Sequence, residues 1–302
     1  MDFHYDTLEQ LLEAARREDC KLSSLVLQQQ AKEMECTPQS IFDRMEHQYD
    51  VMTQAVQKGL EPGVRSNSGL TGGDANRLAN QINSQKHLCG DLFSGALARA
   101  MAVAEINAAM GCIVAAPTAG SCGILPAAVI TMQLEKNISK KECIMSLFTA
   151  SAVGMVIAKN ACLSGAQGGC QAECGSAGAM AAAAIVELAG GTPDMIGHAV
   201  AIAIKNTLGL VCDPVAGLVE IPCIKRNASG AANAFIAAEL ALAGIKSAIP
   251  ADETIIAMKN VGDSMHTSLK ETGEGGLAAT PTGKRIFQQL FGTDGAKDGQ
   301  EN

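Results

Sequence analysis

The chain has 302 residues, enough to bury a sizeable core, and a formal net charge of −8 with no basic run, which argues against nucleic-acid binding. Hydrophobic residues make up 47% of it, yet aromatics only 3% and Trp is absent, so Ala and Gly supply much of the apolar count. Such a composition suits closely packed helices more than a sheet, because Ala is the best helix former while strands favour aromatic and β-branched residues.

Taken in chain order, the N-terminal third reads as charged and helical. Leu8, Leu11, Leu12 and Ala15 follow helical spacing. Thr37 followed by Pro38 is an N-cap with Pro at the first helical position, and Gly59 can end that helix. Ile41, Met45, Met52 and Val56 form its apolar stripe. At Glu61 the texture changes, and residues 65–74, RSNSGLTGGD, are too rich in Gly and Ser for a helix. A helix is predicted over 91–110, then a second loop, APTAGSCG, at 116–123.

Ser139 and Glu142 make a capping box for a helix running to about Asn160. A third loop, SGAQGG, occupies 164–169, and an Ala-rich helix spans 175–189. Thr192 and Pro193 start a helix predicted to reach Leu210. The segment VCDPVAGLVEIPC, at 211–223, is kept irregular by Pro214, Gly217 and Pro222. Helices are predicted over 228–244 and 252–271, then a loop at 274–283 and a short helix at 281–291. The expected architecture is an all-α helical bundle with glycine-rich loops between apolar helices. The expected organisation is an N-terminal helical segment (1–61) packed on the core, a main domain (62–291) and a disordered tail (292–302).

No basic n-region with an apolar h-region opens the chain, so no export signal is expected. The apolar run 106–134 is interrupted by Pro117, Gly120, Gly123 and Pro126, and the run 143–158 falls short of the ~20 residues that a span needs. A cytoplasmic location is therefore expected. There the eleven cysteines should be thiols, metal ligands or redox groups rather than structural disulfides.

Cys170 follows Gly168 and Gly169 at a helix start, where the macrodipole favours thiolate. Cys212 and Cys223 bracket the Pro/Gly segment. Their spacing fits neither a zinc finger nor a ferredoxin run, so spacing alone leaves open whether these are ligands or small buried hydrophobes. Cys122 and Cys174 are rivals read as packed thiols. Lys205, on an apolar helix, is read as reaching solvent, and His198 as a satisfied core residue.

The flanking blocks carry more. GGCQAE at 168–173, CDPVAGLV at 212–219, PCIKRN at 222–227, NAAMG at 107–111, APTAGSCGILP at 116–126 and SGLTGGD at 68–74 closely resemble the α chain of iron–sulfur-dependent L-serine dehydratases. They occur in the family's order, and the resemblance covers about 66–283. It implies conversion of L-serine to pyruvate and ammonia, with a [4Fe–4S] cluster held by Cys170, Cys212 and Cys223. One iron is left open as a Lewis acid for the departing hydroxyl. The hydroxyls of Ser68, Thr71, Thr118 and Ser121, with Gly72 and Asn227, are the implied substrate contacts, and Arg226 is a candidate orienting group. Turns and helix caps explain the same hydroxyls equally well.

The general base is missing. His4, His47, His87, His198 and His266 all lie outside the resembling blocks. In the family a separate β chain, or a fused β domain, supplies a His in an S-S-H-T motif that this sequence lacks, so a serine dehydratase β subunit is the expected partner. Single-chain relatives end shortly after G-G-L-A in a Cys that occupies the open iron. Here Gly275–Ala278 runs on, and no terminal thiol is expected to do so. Two other readings remain: an L-cysteine desulfidase-type lyase sharing the β-elimination logic, and a non-catalytic redox or metal-binding protein.

Overall fold

The computed structural model describes residues 5–292; His4 and, of the tail expected at 292–302, residues 293–302 lie outside the described residues. The helices are α1 (Leu8–Arg17), α2 (Leu22–Glu33), α3 (Pro38–Gly59), α4 (Asp74–Asn83), α5 (Gly90–Ala108), α6 (Ile124–Lys136) and α7 (Lys140–Asn160). A short turn α8 (Gly165–Gly168) precedes α9 (Ser176–Leu188), α10 (Pro193–Lys205), α11 (Cys223–Leu242), α12 (Ala251–Ser264) and α13 (Pro281–Phe291). Among the described residues there is no β-strand, so the fold is all-α.

Local chemistry starts many of these helices. Thr37, Thr192 and Thr280 accept the N–H three residues on and are each followed by Pro. Ser139 and Glu142 close a reciprocal box at α7, each accepting the other's N–H at 3.2 Å.

The Ala-rich α9 is the centre of the bundle. Its residues from Ser176 to Glu187 are all buried, and α6, α7, α10 and α11 pack around it. Small side chains let these backbones come close, which is how a core with so few aromatics reaches close packing. Helix α5 joins α11, α6, α3 and α4, while α1 lies on α10 and α12, and α2 on α7. Leu11, Tyr49, Phe148 and Ile255, from α1, α3, α7 and α12, belong to the same apolar core. Helix α7 is long and apolar enough to cross a membrane by length and composition, but 67% of its apolar window is buried against other helices. That is the pattern of a core helix.

Helix α6 has no counterpart among the predicted helices, and four further features differ from the sequence expectation. Helix α4 was not anticipated. Its first N–H groups, of Gly73, Asp74 and Ala75, donate to the buried carboxylate of Glu105 on α5 at 3.0, 2.8 and 3.3 Å. A cap that arrives from another helix leaves no local signature. Glu105→Ala strips the acceptor from all three, and we expect a loss of about 1–3 kcal/mol of stability in urea denaturation. Faster amide exchange should be confined to the first turn of α4.

Helix α10 ends at Lys205, not Leu210. There the Asn206 amide turns to Asn233 (2.7 Å) and the Thr207 hydroxyl takes the Ile204 carbonyl (3.0 Å). Helix α12 ends at Ser264, because Met265 is extended and the following chain pairs with Cys212. Helix α11 begins at Cys223, five residues earlier than predicted.

Candidate active site

Two glycine-rich loops, through Gly120 and Gly165, approach Glu173, which stands three residues after Cys170 and 4.0 Å from the Cys212 sulfur. Cys170 opens the helical segment that continues into α9 through a π-helical turn, Gln171–Gly175. Gln171 anchors this turn: its side chain donates to the Met258 carbonyl and accepts from the Gly209 N–H, both at 2.9 Å. Cys212 sits in extended backbone, donating its N–H to the Leu269 carbonyl (2.8 Å) and accepting from the Glu271 N–H (2.7 Å). Cys223 is the first residue of α11.

Asn227 ties this corner together. Its amide NH₂ donates to the carbonyls of Gly120 (2.8 Å) and Cys223 (3.0 Å), and its oxygen accepts the Gly123 N–H at 2.8 Å. The starts of α6 and α11 are thereby fixed to each other. Arg226 donates to the Val211 carbonyl (2.7 Å) and pairs with Asp213 (2.8 Å), holding the 211–213 segment against α11. The second oxygen of Asp213 accepts the Leu277 N–H at 2.8 Å, which docks the segment before α13 on the same corner.

Cys170 and Cys212 are buried and Cys223 is half-buried. The three act on one another electrostatically. Burial pushes the Cys223 thiol up to about 12, with the charges of Cys170 and Glu173 adding to it. Burial likewise raises Cys212, reinforced by Glu173 and Cys170. Cys170 is held below the usual thiol range by a hydrogen bond from Cys174, whose sulfur is 3.4 Å away, and by the charge of Arg226, against the opposing effect of burial. Cys174 moves up in return. Cys122 is fully buried, directs its sulfur at the Val103 carbonyl (3.9 Å) and is raised to about 12 by burial.

The remaining predicted residues fall in two groups. Thr118 and Ser121, with hydroxyl oxygens 3.1 Å apart, lie beside the cysteines, because Thr118 also bonds Glu173. Ser68 and Thr71 instead donate to the two oxygens of buried Glu220, at 2.7 and 2.5 Å. Glu220 stands three residues before Cys223, so this bond clamps the first glycine-rich loop to the chain leading into α11. Gly72 has φ +126°, and a Cβ there would lie 2.4 Å from the Val64 carbonyl oxygen, so only glycine fits the turn. Of the described histidines, His87 meets Asp91, the His198 ring accepts from the Ser247 N–H, His266 meets Ser268, and His47 is exposed on α3. Lys205 donates to Ser247.

Glu173 escaped the sequence reading. It is one of 31 acidic residues, and only its place three residues after Cys170 sets it apart. One of its oxygens lies 4.0 Å from the Cys212 sulfur. Burial pushes its carboxyl above the usual carboxylate range, the Thr118 hydroxyl opposing and Glu271 adding to the rise. Glu220 and Asp213 were also missed, for want of any local signal of their partners.

The donor set suits a thiolate-bound cluster. Three cysteines come from separate segments, two of them at helix starts where dipoles favour negative sulfur. Among the described residues no group of three or more His, Cys, Asp or Glu side chains is arranged to hold a single metal ion. Cluster thiolates each bind a different iron and need not converge on one point. The raised thiols of Cys212 and Cys223 do not oppose ligation, since a bound cation reverses the local electrostatics and releases the proton.

A family model described as serine dehydratase alpha chain matches residues 17–278. The chain is 53% identical to the "Probable L-serine dehydratase, alpha chain" of Bacillus subtilis, over 95% of this chain and 96% of that one. It is 45% identical to the "L-serine dehydratase, alpha chain" of Peptoniphilus asaccharolyticus, over 95% and 98%. The "L-serine dehydratase" of Streptomyces coelicolor is longer: at 36% identity the match covers 92% of this chain but 61% of that protein.

Proposed function

The chain belongs to the serine dehydratase alpha-chain family, and from that premise we propose that it is the catalytic α subunit of an L-serine dehydratase, a lyase converting L-serine to pyruvate and ammonia. The observation that carries this reading is the meeting of Cys170, Cys212 and Cys223 in one corner, framed by the very loops that resemble the family.

We assign these three cysteines as ligands of a [4Fe–4S] cluster. When bound, such a cluster supplies a Lewis-acidic iron with an open position for the departing hydroxyl. The chain's own residues do the rest of the positioning. Asn227 and the Arg226–Asp213 pair hold the cysteine-bearing segments in register. Glu220 fixes the Ser68–Thr71 loop to the lead of α11. The half-buried Thr118 hydroxyl, bonded to Glu173, is the one placed to meet the amino acid's polar groups, with the fully buried Ser121 hydroxyl 3.1 Å behind it.

Loss of the Cα proton needs a base. No described histidine is hydrogen-bonded to the three cysteines, and the family resemblance implies a base supplied by a cytoplasmic β subunit. The longer Streptomyces relative, with extra length beyond the region matched here, supports a fused counterpart of such a chain.

Anaerobic assay of the iron-loaded α chain with its β chain should yield pyruvate and ammonia from L-serine in equal amounts. Release of sulfide from L-cysteine with serine untouched would overturn the reading in favour of a desulfidase. A cluster without turnover of either would leave a binding protein.

A further inference from the structure

Glu173 is a carboxylate with no cationic partner. Among the described residues no Lys, Arg or His side chain pairs with it. Arg226, the cation acting on Cys170, is committed to Asp213 and the Val211 carbonyl. The groups acting on Glu173 are the Thr118 hydroxyl, the negative charge of Glu271 and the Cys212 thiol at 4.0 Å. Two glycines keep its head clear: a Cβ at Gly120 would lie 3.1 and 3.2 Å from its oxygens, and one at Gly165 would lie 2.8 Å from Oε2. Glu173, Thr118, Gly120 and Cys223 are all partly accessible.

A zwitterionic amino acid offers one cation to this surrounding. Its carboxylate would be repelled by Glu173, Glu271 and the thiolates, whereas its ammonium carries three donors to a place with two ready acceptors. We propose that the Glu173 carboxylate, with the Thr118 hydroxyl, receives the ammonium group of the substrate, so that the enzyme selects α-amino acids over α-hydroxy acids at this point. The assignment rests on the serine dehydratase reading and deepens it.

The test uses the iron-loaded complex with its β chain, as wild type and as Glu173→Gln, which removes the charge and keeps the shape. Iron content and visible absorbance should stay at wild-type level. KM for L-serine should rise roughly tenfold to a hundredfold, the worth of a charge-assisted contact. Inhibition by L-glycerate, which carries a hydroxyl in place of the ammonium, should hold steady or tighten.

An unchanged serine KM with a working wild-type enzyme would overturn the ammonium assignment alone. So would equal weakening for serine and glycerate, or loss of the cluster absorbance. A wild-type complex that binds iron but leaves serine untouched would remove the premise and overturn both readings.

Discussion

Cys212→Ala is expected to bring the broad visible absorbance of the iron-loaded chain down to background, and serine turnover with it. Cys212 is the proposed ligand with the least local support from a helix. Its backbone pairs with Leu269 and Glu271, and its sulfur lies 4.0 Å from Glu173. Without it two thiolates remain, at separate helix starts, and two do not retain a cuboidal cluster that draws on Cys ligation for its binding. Cys170→Ala and Cys223→Ala should behave alike. Two controls separate ligand loss from general damage. Cys122→Ala removes a buried thiol that faces the Val103 carbonyl, and Cys174→Ala removes one only 3.4 Å from Cys170; both should keep most of the absorbance. A full cluster in Cys212→Ala would sink the ligand assignment.

Asp213→Ala should destabilise the metal-free chain by about 3–5 kcal/mol, the usual cost of stripping one partner from a buried ion pair. The side chains of Arg226 and Asp213 are only 16% and 4% exposed, at 2.8 Å. Removing Asp213 leaves the guanidinium without its counter-charge and frees the Leu277 N–H that docks the approach to α13. Urea denaturation read by far-UV circular dichroism would measure the loss. The exposed pair Lys259–Asp263 supplies the contrast, because water and salt screen it and Asp263→Ala should leave the midpoint unmoved. A small loss for Asp213→Ala would mean that water reaches this corner and that the pair does not hold it together.

Both effects depend on contacts between residues distant in sequence, and those were the least legible part. Helix starts marked by Thr-Pro or by the Ser139–Glu142 box were readable because a cap acts over three residues. The end of α10 was not, since Asn206 leaves the helix to meet Asn233, 27 residues away. The end of α12 was misplaced for the same reason: the chain after Met265 is drawn into pairing with Cys212.

The candidate site divides along the same line. Cys170, Cys212 and Cys223 were legible through the blocks around them and not through their spacing. Ser68 and Thr71 stood out as loop hydroxyls, but nothing nearby pointed to Glu220, which takes both of their hydrogen bonds. Asn227 was visible as a polar residue after Cys223. Its use as a brace on Gly120 and Gly123, more than a hundred residues earlier, was not.

The sequence by itself determined the all-helical character, through an Ala-rich and aromatic-poor composition, and most helix starts, through caps that are complete within one turn. It also marked the family, through ordered blocks around the three cysteines. Only the tertiary structure decided that Glu105 starts α4, that Arg226 and Asp213 hold the cysteine segments, and that Glu173 stands unpaired beside them. The physical reason is common to all three. A buried charge takes its meaning from what surrounds it, and here the surroundings come from other helices, where neither periodicity nor a local motif records them.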